Sequence, residues 1–162
     1  MSNALRKETP RPETVFRLAT DEDKRGVYKL LLEMHEEVGM LEINTLKVAR
    51  QISKVVNEGM CVVAIVDGQI VGSIGAEIGA PWYSEQSFLS ECWTFVSKDF
   101  RRSAIAHTLL RDINEIAKSV NMLLVIGVFS PVQAERKAKL FGRIFRPVGG
   151  IFVGGKNDVL LR

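Results

Sequence analysis

The sequence has few cysteines, no long apolar run and little net charge. Only Cys61 and Cys92 are present, and neither has the CxxC or Cys/His spacing of a metal site. We therefore expect two reduced, buried thiols and no bound metal. The alternative is a disulfide between the two, which would require neighbouring strands and an oxidising compartment. No apolar run reaches the roughly 20 residues that a membrane helix needs, and residues 1–14 lack the apolar stretch of a signal peptide. These absences predict a cytoplasmic protein without membrane contact.

Length and composition favour one globular domain. The chain has 162 residues, of which 46% are hydrophobic, and a domain usually takes about 100–200 residues. Residues 1–13 contain two of the five prolines and show no apolar periodicity, which predicts a flexible N-terminal tail. Residues 14–162 are then expected to form the single domain.

The charge is small in sum but uneven along the chain. A formal charge of +3, with no basic stripe that has interleaved aromatic residues, excludes nucleic-acid binding as the leading interpretation. Residues 98–111 and 131–146 together hold nine basic and two acidic side chains, whereas residues 30–97 hold three basic and nine acidic ones. Most such runs are solvated helix faces. The alternative is that one half attracts an anion and the other a cation, and charge counts leave both open.

The first half of the chain predicts one strand and two helices. Apolar residues at 15–18 form a short strand, and Thr20 stands as an N-cap before an acidic turn. The following apolar positions keep helical spacing as far as Gly39. A second helix is capped by Asn44 and runs to Gly59.

The second half changes to a strand period and then alternates strands with helices. Two β-rich runs flank Asp67-Gly68, a pair suited to a tight hairpin turn. A further strand ends at Val96, and an apolar run over 122–129 is typical of a strand buried on both faces. One helix precedes that run, another extends from Pro131 to about Phe145, and the tail supplies at least one more strand. The order predicts a mixed α/β sheet with helices on its faces.

Residues 101–106, between a strand end and a helix start, are the segment best suited to chemistry. Free backbone N–H groups at a helix N-terminus, small side chains and flanking arginines form a phosphate cradle. Arg101 and Arg102 would supply positive charge to it. The alternative is an ordinary strand-to-helix turn, in which arginines at the helix start oppose the dipole.

In this segment the sequence resembles the GNAT superfamily of acyl-CoA-dependent N-acyltransferases. The segment VSKDFRRSAIAHTLL is similar to the family signature of Gln or Arg, two free positions, Gly, one free position, then Gly or Ala. Arg101 matches the first position and Ala106 the last, while Ala104 replaces the first glycine and adds one methyl group. FRLATDED and KAKLFGRIFRPVGGIFV resemble the opening and closing elements, so the resemblance covers about residues 14–153.

The resemblance implies a fold and an acyl donor. The fold is a mixed, largely antiparallel central sheet of about six or seven strands with helices on both faces. A V-shaped opening between the fourth and fifth strands would hold acetyl-CoA, and N–H groups near Phe95 and Val96 would polarise the acetyl carbonyl. Ser130 replaces an asparagine of the family and either contacts the donor or caps the next helix. The pyrophosphate would lie on the N–H groups of Arg102, Ser103, Ala104, Ile105 and Ala106.

The resemblance also implies direct attack of an amine on the thioester. An ammonium acceptor must first lose a proton, so a carboxylate near the start of the fourth strand is the expected base. Glu91 is the candidate and Glu77 the reserve, although a solvated carboxylate at a strand end is the alternative for Glu91. The family's usual proton donor is a tyrosine at the position of Phe141, which carries no such proton. A thiol has a pKa near 8.5, so the thiolate would leave without a dedicated acid.

The expected function is transfer of acetyl from acetyl-CoA to a primary amine of a small molecule or protein. A homodimer is left open. The alternative is a catalytically weak or inactive GNAT-like protein that serves as a CoA-binding or structural module. Ala104 and Phe141 favour the module, whereas the basic residues at the cradle favour the enzyme.

Overall fold

A computed structural model describes residues 13–152 as a five-stranded sheet with four α-helices. Two short 3₁₀ turns, Asp21–Asp23 and Lys98–Phe100, precede α1 and α3. In chain order the elements are β1 (Thr14–Leu18), α1 (Lys24–Val38), α2 (Thr45–Glu58), β2 (Met60–Val66), β3 (Gln69–Gly79), β4 (Phe88–Val96), α3 (Ile105–Ser119), β5 (Leu123–Val125) and α4 (Ala134–Phe141).

The strands lie in the order β1-β2-β3-β4-β5. The first three pairings are antiparallel and β4–β5 is parallel, which confirms a mixed, largely antiparallel sheet. The described residues form five strands rather than six or seven. Residues 146–152, expected to enter a closing strand, carry none, and the rest of that tail lies outside the described residues, as does most of the predicted N-terminal tail. Pro147, Gly149 and Gly150 are residue types that strands disfavour.

Helices cover both faces of the sheet, as expected. On one face α1 and α2 bury Val27 and Ile52 against Val63 and Trp93. On the other face α3 buries an apolar stripe against β2, β3 and the end of β4. The stripe consists of Ile105, Leu109, Leu110 and Ile113, and it packs with Val62, Ala64, Val66, Val71, Ile74 and Val96. The sheet therefore has a separate apolar layer on each side.

The connection from β1 to α1 is held by one buried carboxylate. Asp23 accepts hydrogen bonds from the backbone N–H of Thr20 at 2.7 Å and from both Nη atoms of Arg17 at 2.6 and 3.0 Å. The Arg17 hydrogen bond lowers the pKa of Asp23 to about 2. Thr20 is therefore an N-cap, as predicted, and its partner Asp23 closes a capping box.

Local residue patterns predict the cap of α2 and the β2–β3 hairpin correctly, but not the bounds of the last helix. Asn44 caps α2 by accepting from the N–H of Lys47 at 2.9 Å, and Asp67-Gly68 turns with φ of 49° and 76°, so both predictions are confirmed. The last helix was expected from Pro131 to Phe145, but α4 spans Ala134–Phe141. Gln133 has φ 55°, a left-handed conformation that no helix interior accommodates, so the helix starts after it.

A β-bulge in β4 separates two sets of side chains. Gly75 pairs with Trp93 and Ala76 pairs with Glu91, which leaves Cys92 as the extra residue. Trp93 packs against α2 and donates from Nε1 to the buried Ser73 hydroxyl at 3.1 Å. Ala76 packs against α3, and its cross-strand partner Glu91 therefore lies on the α3 face. The bulge thus places Glu91 and Trp93 on opposite sides of the sheet.

A substitution at Gly75 tests the packing of Trp93, because a Cβ at this position would overlap the indole ring. We expect Gly75→Ala to lower the free energy of unfolding by about 1–3 kcal/mol, since the overpacked ring must leave its rotamer. Gly79→Ala in the same strand is the control. Its Cβ would lie 3.9 Å from Phe88, and we expect a change within about 0.5 kcal/mol. Urea unfolding measures the stability of both variants. If Gly75→Ala were as stable as Gly79→Ala, the packing of Trp93 described here would be contradicted.

Candidate active site

The site is built where β4 and β5 separate. The two strands pair over only three residues, Phe88 with Leu123, Leu89 with Leu124 and Ser90 with Val125. Beyond these pairs β4 continues to Val96 with its β3 edge paired, while β5 ends at Val125. The result is an opening in the sheet between residues 91–96 and the segment that follows Val125.

The N–H groups of Phe95 and Val96 are the two predicted donors to the acetyl carbonyl. One of them faces this opening. The N–H of Ser97 donates to Val71 of β3 at 2.8 Å, and successive N–H groups of a strand point to alternate edges. The N–H of Val96 is therefore directed towards the opening, and that of Phe95 towards β3. The prediction of Phe95 as a donor is wrong for this reason. Its ring is buried instead, with the Arg101 guanidinium carbon 5.1 Å from the ring centroid.

Glu91 occupies the point where the opening begins. Its carboxylate accepts from the Thr94 hydroxyl at 2.8 Å and from the backbone N–H of Gly127 at 3.3 Å, so it connects β4 with the chain after β5. Burial raises the pKa of Glu91, while those two hydrogen bonds and the charge of Lys137 act in the opposite direction. The alternative of a freely solvated carboxylate is therefore wrong. A half-buried carboxylate with a raised pKa is suited to accept a proton near neutral pH.

Glu77, the reserve candidate, lies elsewhere. Its carboxylate accepts from Lys54 at 2.7 Å and from Gln51 at 3.1 Å, both on α2. The Lys54 hydrogen bond is the main reason that its pKa is lowered. Glu77 is thus on the α2 face and held as an ion pair, while Glu91 is on the α3 face. The structure does not bring the two carboxylates together.

The start of α3 has the features of an anion cradle. Arg102, Ser103 and Ala104 are exposed, and the N-cap residue Ala104 makes no side-chain capping bond. The Ser103 hydroxyl accepts from the N–H of Ile105 at 3.3 Å, and by helix geometry the N–H groups of Ala106 and His107 have no intrahelical acceptor. A helix start with these free donors and small side chains is suited to a phosphate.

Arg102 is left-handed, with φ 63°. This conformation of a non-glycine residue is strained by on the order of 1 kcal/mol. Such strained residues are retained most often at ligand-binding turns. The left-handed residue turns the chain from the 3₁₀ segment into the start of α3. Its exposed side chain is available to an anion.

Arg101 has a different role from the one predicted. Its Nη atoms donate to both carboxylate oxygens of Glu37 in α1, at 2.7 and 2.6 Å, and its Nε donates to the carbonyl oxygen of Val96 at 3.0 Å. The Arg101 hydrogen bond lowers the pKa of Glu37. The guanidinium therefore fixes the loop between β4 and α3, and the prediction that it supplies free charge to a phosphate is corrected.

Glu33, one turn before Glu37, holds the same loop. It accepts from the Ser97 hydroxyl at 2.8 Å and from the N–H of Lys98 at 3.2 Å. Two carboxylates of the acidic stretch thus bind the basic stretch within the molecule. The alternative that the acidic half attracts an external cation is not met by these two residues.

Ser130 and Lys137 lie on the other side of the opening. The Ser130 hydroxyl bonds the backbone of Val132 and accepts from Lys137 Nζ at 2.9 Å. It does not cap α4, whose N-cap is Gln133. Burial is the main reason that the pKa of Lys137 is lowered, and the charges of Glu37 and Glu91 oppose that shift. Phe141 ends α4, and its ring lies 6.5 Å from that of Phe145.

The sequence did not point to Glu33, Glu37, Thr94 or Lys137. The two glutamates could have been found from their spacing, because residues four apart share one helix face. Their partners are 64 positions further along the chain, and no local pattern indicates that pairing. Lys137 could have been found as the residue one turn before Phe141.

A separate open cleft lies between α1 and the β2–β3 hairpin. It has a volume of about 770 Å³, and Arg25, Lys29 and Gln69 are among its lining residues. None of the residues predicted for the site lines it. This cleft is therefore separate from the β4–β5 opening, where the predicted residues lie.

Comparison with protein families identifies the family of the chain. The sequence profile of the acetyltransferase (GNAT) family matches residues 17–138, which include β4, the start of α3 and most of α4. The chain belongs to the GNAT family of acetyltransferases. A search of curated protein sequences gave no match.

Solved structures with this GNAT fold include proteins of several substrate classes. A ribosomal-protein-alanine N-acetyltransferase from Brucella melitensis biovar Abortus 2308 is 17% identical, with a TM-score of 0.68 over 88% of this chain and 98% of that one. The aminoglycoside N-acetyltransferase AAC(6')-Iy, in complex with the bisubstrate analogue CoA-S-monomethyl-acetylneamine, is 12% identical, with a TM-score of 0.69 over 90% and 99%. A possible acetyltransferase from Clostridium difficile 630 is 16% identical, with a TM-score of 0.66 over 88% and 97%. At these identities the likeness shows the fold.

Within residues 13–152 no group of three or more His, Cys, Asp and Glu side chains is placed to hold a metal ion. Over the same residues, no helix combines the length and apolarity that crossing a membrane requires.

The Glu37–Arg101 pair gives a prediction that separates a loop-fixing arginine from a phosphate-binding one. Both side chains are under one third exposed, and the pair is bidentate, so we expect a coupling of about 1–2 kcal/mol. A double-mutant cycle of Glu37→Gln and Arg101→Met, measured by urea unfolding without ligand, gives that coupling. Arg102→Met is the control, with an expected stability change within about 0.5 kcal/mol. Zero coupling would return Arg101 to the phosphate-binding interpretation.

Proposed function

We propose that the protein is an N-acetyltransferase that moves the acetyl group of acetyl-CoA to a primary amine. The observation that carries the proposal is the position of Glu91. Its half-buried carboxylate lies where β4 and β5 separate, on the same strand as the Val96 N–H that faces the opening. A proton acceptor and a carbonyl-polarising donor on one strand are what acyl transfer to an amine requires.

The binding half of the proposal rests on the start of α3. Exposed Arg102, the free N–H groups of the first helical turn and the methyl side chain of Ala104 suit a pyrophosphate. Glu33 and Glu37 of α1 position this cradle by binding Ser97 and Arg101, so Arg101 contributes no free charge. Acetyl-CoA is then the acyl donor that matches both the cradle and the opening between the strands.

Glu91 and the N–H of Val96 have different roles in the proposed reaction. Glu91 accepts the proton that the ammonium acceptor must lose, directly or through water. The amine nitrogen then forms a bond to the acetyl carbonyl carbon, the carbon–sulfur bond breaks, and the nitrogen loses its second proton to water. The N–H of Val96 stabilises the negative charge that develops on the carbonyl oxygen, a contribution of roughly 3 kcal/mol for one such donor. The products are an N-acetyl amine and the thiolate of CoA.

A CoA-binding module without efficient catalysis is the second candidate. Phe141, whose ring has no proton to donate, is the observation that favours it. The acceptor class is proposed only as a primary amine, in a small molecule or at the surface of a protein. A broad amine panel with a thiol reagent that traps released CoA distinguishes enzyme from module, because a module binds CoA and releases none.

Binding of acetyl-CoA should raise the melting temperature. A ligand at 100 times its Kd that binds only the folded state stabilises it by about 2.7 kcal/mol, so a shift of several degrees is expected. Thermal denaturation followed by tryptophan fluorescence measures it, with adenosine as the control that lacks the pyrophosphate and thioester. The absence of any shift at millimolar acetyl-CoA would contradict both candidates.

The role of Glu91 is tested by Glu91→Gln. The glutamine oxygen can accept from Gly127, and the Thr94 hydroxyl can rotate to accept from the new amide, so the fold is expected to tolerate the change. We expect the acetylation rate to fall roughly 100-fold or more, with acetyl-CoA affinity nearly unchanged. Glu77→Gln on the α2 face is the control and should keep the rate.

The pH profile adds a second readout for Glu91. Glu91 accepts a proton only when ionised, so the rate rises with pH through its pKa. Burial raises that pKa, which puts this acid limb above the ordinary carboxyl value of 4.5. Glu91→Gln should lose this limb and keep only the titration of the amine itself. Full activity with an unchanged limb in Glu91→Gln would show that the base is another group.

A further inference from the structure

Lys137 presents an ammonium group at the β4–β5 opening. It lies one turn before Phe141, so the two side chains share one face of α4. Its Nζ donates to the Ser130 hydroxyl at 2.9 Å, on the chain that leaves β5. The ammonium is half-buried and thus held at the edge of the proposed reaction site, opposite β4.

Charged groups from three other elements act on this ammonium. Glu91 of β4 and Glu37 of α1 favour its protonated form, while Arg101 of the β4–α3 loop opposes it. Burial opposes the charged form most strongly, and the net result is a pKa below the ordinary lysine value of 10.5. Lys137 can therefore release its proton more readily than a solvated lysine.

The proposed reaction creates a need for such a group. When the carbon–sulfur bond breaks, sulfur takes the bonding electron pair and becomes a thiolate, which is poorly stabilised in a half-buried opening. Phe141 has no proton to give it. Arg101 is held by Glu37 and Val96, and a guanidinium does not release a proton in this pH range.

We propose that Lys137 donates the proton to the departing thiolate of CoA. This inference rests on the proposed acetyl transfer. The Lys137 ammonium gives one proton to sulfur and becomes a neutral amine, and solvent water restores that proton after the thiol has left. Glu91 takes one proton from the acceptor ammonium before attack and returns it to solvent, and the nitrogen loses its second proton to solvent as the amide forms. Lys137 regains one proton from solvent, so each turnover releases one proton overall. Ser130 positions the lysine through its hydroxyl.

Kinetics of Lys137→Met test the proton donation. We expect kcat to fall about 10- to 100-fold, while KM for acetyl-CoA changes less than about threefold, because the lost interaction forms only as the thiolate leaves. Lys139→Met is the control, since Lys139 is exposed on the same helix. Lys137→Arg keeps the charge without a transferable proton, and its kcat is expected to stay below that of the unchanged protein.

The loss of activity at high pH distinguishes proton donation from a purely structural role of Lys137. A lysine with only a structural role would not produce this alkaline limb. The unchanged protein should lose activity at high pH as the Lys137 ammonium deprotonates. Lys137→Met should show a plateau in place of this alkaline limb. A plateau in the unchanged protein would mean that the thiolate leaves without a donor, and it would overturn the proposal.

A binding measurement tests the same contact without turnover. The thiol of bound CoA is titrated by the ultraviolet absorbance of its thiolate, with desulfo-CoA as the blank for the protein's own thiols. An ammonium next to sulfur should lower the pKa of that thiol by about one unit relative to Lys137→Met. Thermal melts of all variants confirm that they are folded.

The outcomes separate this inference from the proposed function. If the unchanged protein acetylates amines and Lys137→Met matches it in rate, pH profile and CoA thiol pKa, only the role of Lys137 fails. A fully active Lys137→Arg would overturn proton donation as well, because positive charge alone would then suffice. If CoA does not bind at all, both proposals fail.

Discussion

The unequal pairing of β4 controls the rest of the site. Its β3 edge is bonded over the length of the strand, apart from the bulge, whereas its β5 edge is bonded for only three residues. The free part of that edge leaves the N–H of Val96 without a strand partner on that side and lets the Gly127 N–H reach Glu91. Closing β5 fully against β4 would satisfy these groups within the sheet and leave no room for a thioester. The opening is therefore maintained at the cost of ladder hydrogen bonds.

The uneven charge of the sequence is largely used inside the molecule. Glu33 and Glu37 lie one turn apart on α1 and bind Ser97, Lys98 and Arg101, so the helix on one face of the sheet fixes the loop that starts α3 on the other. This explains why arginine tolerates a helix start whose dipole it opposes, since Glu37 compensates its charge. A shift of α1 would then move the proposed phosphate cradle, which makes α1 a positioning element for it.

Features encoded by neighbouring residues could be predicted from the sequence, and those that depend on distant ones could not. The Asn44 cap, the Asp67-Gly68 hairpin and the mixed sheet follow from short patterns, and the structure has them. The position of Glu91 near the fourth strand was also predictable. Its contact with Gly127 depends on where β5 diverges, 36 positions further along the chain, and the left-handed Gln133 that shortens α4 leaves no signal in residue type.

Burial acts on the two titratable groups of the opening in opposite directions. It raises the pKa of the Glu91 carboxyl and lowers that of the Lys137 ammonium, because in each case it disfavours the charged form. Their mutual attraction opposes both shifts. Protonation of Glu91 removes a charge that favours the Lys137 ammonium, so the two titrations are linked. A carboxylate and an ammonium whose pKa values approach each other form an acid–base pair, which net proton movement from an amine to a thiolate requires.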